Sequence, residues 1–385
     1  MSLFISIVFL FLSISCYSLD KKILNPIFVN SFIWGLLIFL FNIIPNDLYS
    51  LNEQFLLSVF LWVFFFTATC MISQSGSNYN FKINLYNKKI FNIYFYIIVF
   101  CAPLTLLLLI SEAIKVGPDL FFLRLRIINT GLDEEDTFSL GYFGYIFNFS
   151  TSICLLFTYY SNYISKKKYY IVIILSFLLG LITLARTTIL MLIVGIFIIR
   201  YFQGRIKRKH YIYFLILILI FLLIVTSLRG QSDHNTSLGN TISIYIFGGF
   251  PAFDTITPTI SNDFGAYTFR FTYAILKVFD KSIIVQQTIL PYVSIPQQTN
   301  VYTVMFPFFK DFGYIGIIVF SSIYGFIFGT VYKLAKQKIS LYIIIFSFIF
   351  PCLLLQFIGE YIFSNFSTYL QYFILLLIPY YFKTS

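Results

Sequence analysis

The chain has 385 residues, of which 59% are hydrophobic and 11% are charged; its net charge is +11 and its mean hydropathy is +0.87. A soluble domain carries about 25% charged residues, so the composition excludes one and predicts a membrane protein. Long unbroken apolar runs also exclude a membrane β-barrel, whose strands alternate between apolar and polar residues.

Apolar runs predict an all-α protein with about eleven membrane-spanning helices, within a range of about ten to twelve. No basic residue precedes the first run, and Lys21 and Lys22 follow it. A cleavable signal has the opposite charge order, so we expect a retained first helix and an outside N-terminus. The predicted spans are 2–19, 27–45, 55–73, 90–112, 138–161, 169–185, 187–203, 211–228, 312–332, 341–358 and 366–382.

Basic residues separate the two sides of this topology. Six segments on the predicted inner side hold 17 of the 26 Lys and Arg residues but only one acid, Asp20. Cytoplasmic loops are enriched in Lys and Arg, so the pattern predicts an inside C-terminus. It also explains the positive net charge without a nucleic-acid partner. The six segments are 20–22, 74–89, 162–168, 200–210, 333–338 and the C-terminus.

Two outer features stand out within a single predicted membrane domain that covers residues 1–385. Residues 169–203 are short for two crossings, but one long helix would invert every later loop, so we predict a hairpin with Arg186 at its tip. The second feature is a large outer loop, 229–311, which is rich in aromatic residues and predicted to be partly helical.

Arginines on the outer side oppose the usual charge bias and therefore need a reason. Arg186, Arg229 and Arg270 either snorkel and pair with outer acids, or bind an anionic group such as a pyrophosphate, which matches the guanidinium fork. Arg124 and Arg126 lie near the acidic run 133–136, which is able to neutralise them.

Outer carboxylates are the candidates for acid–base chemistry. Asp254, Asp311 and Glu360 lie near the predicted boundary of the membrane, and a carboxylate is able to serve as a general base. Of the three, Asp254 and Asp311 are the predicted candidates. Asp311 is also expected to open a helix as its N-cap. The five cysteines lie in apolar runs and the chain has two histidines, so we predict neither a metal site nor a cofactor.

The segment from Thr299-Asn300-Val301-Tyr302-Thr303 to Asp311-Phe312-Gly313 and Gly325 resembles the most characteristic region of the Wzy-type oligosaccharide repeat-unit (O-antigen) polymerases. Two weaker similarities occur in the order of that family. They are Arg186-Thr187-Thr188, and Arg229-Gly230 followed by Gly248-Gly249 and Ala252-Phe253-Asp254. Ala185 departs from the pattern, since many members have Gly or Ser there.

The resemblance implies an enzyme of the bacterial inner membrane, with its N-terminus in the periplasm and its C-terminus in the cytoplasm. Such a glycosyltransferase moves a growing chain from undecaprenyl pyrophosphate to a new lipid-linked repeat unit at the periplasmic face. Its expected partners are these lipid-linked oligosaccharides, membrane lipid and a chain-length regulator. By this resemblance, pyrophosphate would be held by Arg186, Arg229 and Arg270. Asp311 or Asp254 would be the base, or would orient the attacking hydroxyl. Asn300 and Tyr302 would contact substrate.

Two other functions stay open at this point. An O-antigen ligase uses the same lipid-linked donor and also has a large outer loop, but it resembles this chain less in the Asn-Tyr to Asp-Phe-Gly segment. A lipid-linked oligosaccharide flippase needs charged residues along a central cavity. The predicted spans here are nearly free of charge, which favours an outward-facing site over a conduit.

Overall fold

The computed structural model of the protein describes residues 1–76, 86–117, 120–130, 138, 140–182, 186–207, 209–214, 216, 238–258, 264–287 and 289–382. The chain forms two compact units, and each unit is assembled from stretches that are far apart in sequence. Unit 1 comprises Met1–Tyr79, Asn235–Gln337 and Cys352–Ser367, and unit 2 comprises Asn80–His234, Lys338–Pro351 and Thr368–Ser385.

Helices dominate the described residues. They are α1 (Ser2–Asp20), α2 (Pro26–Ile43), α3 (Glu53–Ser75), α4 (Lys88–Ile114), α5 (Phe121–Thr130), α6 (Ile146–Tyr159), α7 (Lys166–Ile182), α8 (Arg186–Phe202), α9 (Leu238–Phe247), α10 (Gly249–Phe253), α11 (Arg270–Phe279), α12 (Phe306–Lys336), α13 (Ser340–Leu354) and α14 (Phe366–Tyr381). A 3-10 turn, Gly141–Tyr145, precedes α6, and a small antiparallel pair joins β1 (Val293–Ser294) to β2 (Gln298–Thr299).

Five of the described helices, α1 to α4 and α12, are long and apolar enough to cross a membrane. The chain is therefore a helical, multi-span membrane protein, as predicted, while the number eleven stays a prediction. The predicted span at 211–228 lies largely outside the described residues. The division into two units does not decide whether the chain is one membrane domain, which also stays a prediction.

Helices α3 and α12 form the closest pair in unit 1. A Cβ added to Gly325 would come within 2.3 Å of the Phe66 carbonyl oxygen, and one added to Gly329 within 2.8 Å of the Cys70 carbonyl oxygen. Small residues four positions apart let two membrane helices bring their backbones together. The two contacts advance along both helices in the same direction, so α3 and α12 run parallel.

One end of unit 1 carries a polar network, here named the paired end. Asp20, at the end of α1, accepts hydrogen bonds from Tyr332 at 2.8 Å and from Lys336 at 2.6 Å. Asn25 donates to Asp20 at 3.1 Å, and Gln74 donates to Asn25 at 3.4 Å. The residues that join α1 to α2 therefore lie beside the last turns of α3 and α12, which the charge pattern had assigned to the same side.

Three helices lie within the predicted 229–311 loop, and α11 is amphipathic. Arg270 Nε donates to the Gln286 carbonyl oxygen at 2.5 Å, and the Tyr273 hydroxyl donates to the Phe264 carbonyl oxygen at 2.9 Å. The opposite side of α11 is apolar, and its Phe279 is 83% exposed. Bare apolar faces of this kind are typical of helices that lie in a membrane interface.

In unit 2, α7 and α8 pack against each other around the predicted hairpin. Helix α7 ends at Ile182 and α8 begins at Arg186. A Cβ added to Gly180 would lie 2.8 Å from the Ile189 side chain, so the two helices run back along each other. The hairpin prediction is confirmed, because one continuous helix would keep these two residues about 13 Å apart.

Candidate functional site

The Asp-Phe-Gly motif breaks helix α12. Gly313 has φ 59° and ψ −145°, a backbone conformation that is accessible to glycine and costly for other residues. The rings of Phe308 and Phe320 stack at 4.3 Å, although a straight helix would separate these residues by about 18 Å. Residues 306–312 therefore fold back along the second half of α12.

Gly316 allows this reversal. A Cβ added to Gly316 would lie 2.1 Å from the Phe308 carbonyl oxygen, closer than any side chain tolerates. The two glycines of the motif thus have separate structural roles. Gly313 supplies the backbone conformation of the turn, and Gly316 supplies the space that the returning segment needs.

Asp311 lies directly before this turn. Its carboxylate accepts hydrogen bonds from the backbone N–H of Thr268 at 2.7 Å and from that of Tyr267 at 3.4 Å. Two helices meet at the Gly313 kink, so the longer one begins just after Asp311, close to the predicted start at 312. The predicted N-cap role of Asp311 is wrong, because its carboxylate accepts the N–H groups of Tyr267 and Thr268, in the turn before α11, in place of those of this helix.

Asp254 caps a helix that is remote in sequence. Its two carboxylate oxygens accept hydrogen bonds from the backbone N–H groups of Asn52 and Phe55, both at 2.8 Å, at the start of α3. Gln54 reinforces this contact by donating to the carbonyl oxygens of Phe253 at 3.0 Å and Ile256 at 2.9 Å. Burial raises the pKa of Asp254, and the two N–H donors oppose that rise.

Glu360 is a third carboxylate of this region; the sequence places it with Asp254 and Asp311 at the predicted boundary, but it was not among the candidate bases. It accepts a hydrogen bond from the Tyr324 hydroxyl and from the backbone N–H groups of Ile362, Phe363 and Ser364 at 2.6, 2.8 and 2.6 Å. Its exposure is 9%. The available signal was an acid between two apolar runs, since a buried acid in a membrane protein must have partners.

Glu360 lies on a non-helical segment that reaches deep into unit 1. In this segment Gln356 accepts a hydrogen bond from the indole of Trp62 at 3.2 Å, and its carbonyl oxygen accepts one from the backbone N–H of Val304 at 2.7 Å. Trp62 stands nine residues inside α3, about 14 Å along the helix. Non-helical backbone at such a depth is tolerated where protein surrounds it or where it lines a polar cavity.

Two polar atoms at this depth are buried and have no hydrogen-bond partner among the described residues. They are Gln356 Nε2 and Thr303 Oγ1. Buried polar groups nearly always find a partner, so these atoms mark where water or a polar ligand is expected.

Asp254, Asp311 and their neighbours meet through the folded-back part of α12. The Phe253 ring contacts Phe309 at 5.1 Å, and Lys310 Nζ donates to the Thr257 carbonyl oxygen at 2.9 Å. We name this region the broken-helix end. It consists of residues 52–55, 249–257, 264–270, 293–313 and 355–364 of unit 1.

Three predicted substrate-binding residues also lie at the broken-helix end. Arg270 is half-buried, which lowers the pKa of its guanidinium, yet arginine remains charged at neutral pH. Within the described residues, no carboxylate lies within ion-pair distance of Arg270. Tyr302 is buried, with its ring 4.6 Å from Phe306 and its hydroxyl donating to the Pro291 carbonyl oxygen at 3.1 Å. Asn300 is half-buried just after β2.

The other predicted arginines fall elsewhere. Arg186 begins α8, and its side chain lies outside the described part of the structure, as does the whole of Arg229. Arg124 pairs with Glu112 at 3.2 Å, and Lys115 pairs with the same carboxylate at 2.5 Å. The acidic run 133–136 and the Arg126 side chain lie outside the described residues, so their pairing with each other and with Arg124 stays a prediction.

Comparisons with known proteins agree with the motif. The chain matches the model of the family described as "Putative O-antigen polymerase" over residues 1–357. A curated relative, an O-antigen polymerase from Shigella dysenteriae, is 24% identical over 359 residues, which are 90% of this chain and 88% of the relative. No solved structure matches the chain. The chain therefore belongs to the O-antigen polymerase family, and its role is in O-antigen polymerisation.

Proposed function

We propose that this protein polymerises undecaprenyl-pyrophosphate-linked O-antigen repeat units at the periplasmic face of the bacterial inner membrane. The family match along residues 1–357 carries this proposal, because it includes every segment of the broken-helix end except residues 358–364. In this topology the paired end of unit 1 faces the cytoplasm and the broken-helix end faces the periplasm.

The reaction is a glycosyl transfer between two lipid-linked sugars. A hydroxyl of the new repeat unit attacks the anomeric carbon of the growing chain, and the bond from that carbon to pyrophosphate breaks. Undecaprenyl pyrophosphate leaves with the electron pair, and the hydroxyl proton passes to a base. Donors that are already in place for the departing charge lower the barrier of such a step.

Arginines supply this stabilisation in the proposal. Arg270 supports the assignment because it is charged, half-buried and without a carboxylate partner among the described residues. Arg186 and Arg229 complete the proposed set of pyrophosphate ligands on the strength of their motif positions alone. A guanidinium fork binds two phosphate oxygens at once, which fixes the orientation of the leaving group.

Asp254 and Asp311 are the candidate bases, although both carboxylates already accept backbone N–H donors. Carboxylates have about four lone-pair positions, so each is able to accept a further hydrogen bond from a sugar hydroxyl. The raised pKa of Asp254 suits proton acceptance, and the place of Asp311 beside the glycine turn suits contact with substrate. Asn300 is proposed to bind sugar directly, while the buried Tyr302 shapes the site through its ring.

Gene deletion followed by gel analysis of lipopolysaccharide tests the proposal. We expect the ladder to disappear and a single repeat unit to remain on the lipid A core. A ligase mutant would instead accumulate polymer on undecaprenyl pyrophosphate, and a flippase mutant would leave the core without any repeat unit. A ladder of normal spacing and length after deletion would remove the polymerase assignment.

Replacement of Arg186 by Ala tests the pyrophosphate role. We expect loss of polymer with an unchanged amount of membrane-inserted protein, because the substitution removes charge from the proposed site without filling space. Arg205→Ala is the matched control, since Arg205 lies at the opposite end of α8 and bonds to Asn162 at 2.8 Å. Normal chain lengths in the Arg186 variant would contradict the role.

A chain-length regulator is a proposed partner, and its loss should alter length without abolishing polymer.

A further inference from the structure

Unit 2 contains a cavity of about 190 Å³ between the first turns of α4 and α7. Polar and basic side chains form much of its lining: Tyr86, Lys88, Asn92, Tyr163, Ser165 and Lys168. Its remaining wall is apolar and consists of Phe91, Phe157 and Ile164. A water takes about 30 Å³, so the cavity has room for a phosphate group with a few waters.

Lys168 is held in place at the cavity. Its Nζ donates to the side-chain oxygen of Asn92 at 2.7 Å and lies 5.0 Å from the centre of the Phe95 ring. Both partners are neutral, so the ammonium keeps its charge and further donors. Lys88 is exposed at the first turn of α4. The two ammonium groups reach the cavity from different helices.

Among the described residues of unit 2, the one acid is Glu112. The sequence has no Asp or Glu from 80 to 111, from 137 to 232, from 338 to 351 or from 368 to 385. Glu112 lies at the far end of α4, about 36 Å from Lys88 along the helix. The positive ends of the α4 and α7 dipoles add to the charge of the lysines, so the cavity favours an anion.

We infer that this cavity binds the phosphate of an anionic phospholipid in the leaflet that the charge pattern assigns to the cytoplasm. A lipid fits better than a free ion because the apolar wall offers a surface to the glycerol and acyl parts of the molecule. Basic pockets between membrane helices on the cytoplasmic side bind anionic headgroups in this way. The cavity lies at the end of α4 opposite Glu112, and the inference does not depend on the proposed reaction.

Thermal unfolding of the purified full-length protein in neutral detergent tests this inference. We expect phosphatidylglycerol to raise the Tm by about 4 °C at saturation, and phosphatidylcholine to raise it far less. Lys88→Gln with Lys168→Gln should abolish the difference between the two lipids. Lys89→Gln with Lys167→Gln removes the same charge from the same two helical turns, outside the cavity lining, and should keep the full effect.

Three results would overturn the inference. Equal Tm rises with phosphatidylglycerol and phosphatidylcholine would show that the protein has no preference for an anionic headgroup. If both double variants lose the lipid difference equally, the Tm rise comes from general surface charge and not from the cavity. A full Tm rise with inorganic phosphate at matched concentration would make the ligand a free anion. If Lys168→Gln fails to fold, exposed Lys88 and Lys89 are compared as single variants, and Lys88→Gln alone should lose part of the response.

Discussion

The two ends of unit 1 are built from the same helices, yet they are stabilised in different ways. At the paired end, α3 and α12 remain regular, and Asp20 is matched by Lys336 and Tyr332. At the broken-helix end, α12 reverses at Gly313, and Asp254 bonds to backbone N–H groups about 200 residues away in sequence. The paired end joins helices to each other, whereas the broken-helix end orders loops.

This difference shows what the carboxylates of the broken-helix end do in the folded protein. Asp254, Asp311 and Glu360 each accept N–H groups from backbone that is not their own helical turn. A loop that carries substrate-binding residues must be held in position, and a carboxylate is the strongest acceptor available for its backbone. Substitutions at the two ends, and at the helix contact that both ends share, distinguish this ordering role from chemistry.

Disruption of the α3–α12 contact should have the largest effect, because both ends of unit 1 include these two helices. Gly325→Ala forces a Cβ against the Phe66 carbonyl oxygen, which backbone movement alone is able to relieve. We expect destabilisation of about 1–3 kcal/mol and lower amounts of folded protein. Gly144→Ala is the control, since its Cβ would have only the Leu140 side chain at 4.0 Å. Equal Tm values for the two variants would contradict the close packing.

Gly313→Ala should come next and should act on the broken-helix end alone. Among the described residues its Cβ would meet only Pro258, at 4.0 Å, so the cost is conformational, about 1–3 kcal/mol. Polymer should be lost because the turn that carries Asp311 shifts. Gly204→Ala also places an alanine at a positive φ, 69°, in unit 2, and it should keep the normal ladder. A normal ladder from the Gly313 variant would show that the reversal is not needed.

Asp254 allows a cap to be distinguished from a base. Asp254→Ala should lower stability by about 1 kcal/mol through the lost cap of α3. Asp254→Asn should recover part of this loss, because its one amide oxygen accepts one of the two N–H groups while its NH2 faces the other. If Asp254 only caps, polymer should follow stability and be higher in the Asn variant than in the Ala variant. If it is the base, both variants lose polymer although the Asn variant is the more stable of the two. Tm values and gel ladders of the two variants together decide between these roles.

The smallest effect is expected at the paired end. Asp20→Asn removes an ion pair whose lysine is 42% exposed, and such pairs contribute about 0–1 kcal/mol. The ladder should be unchanged, because this end takes no part in the proposed reaction. Loss of polymer without loss of protein would show that the two ends are coupled, and it would weaken the comparison drawn above.

Sequence reasoning found the helices but not the reversal within one of them. Helices of about 20 apolar residues are fixed by the thickness of the bilayer, so α1 to α4 were predicted to within a few residues. The short helix at 306–312 was missed because one turn or two of apolar residues before a glycine is too short to be told from a loop by its pattern, and its reversal depends on contacts with the second half of α12. Nothing local to Asp311 indicates that its partners are the N–H groups of Tyr267 and Thr268, more than 40 residues earlier.

The candidate site was also predictable only in part, because residue type and motif order are visible in the sequence but tertiary partners are not. Asp254, Asp311, Arg270, Asn300 and Tyr302 were selected from residue type and motif order, and all five lie in unit 1 at the broken-helix end. Glu360 was noticed as an outer acid but not selected for the site, and Gln356 was missed, because their segment resembles the end of an apolar run. Their partners Tyr324 and Trp62 come from helices whose faces sequence alone does not orient.

The central claim is that this chain joins lipid-linked repeat units without any other sugar donor. Purified protein in proteoliposomes, supplied with the undecaprenyl-pyrophosphate-linked repeat unit of its host, should produce a ladder of longer lipid-linked products. Gly313→Ala protein of equal folded amount should produce none. A product that forms only when a nucleotide sugar is added, or no product from stable wild-type protein, would contradict the claim.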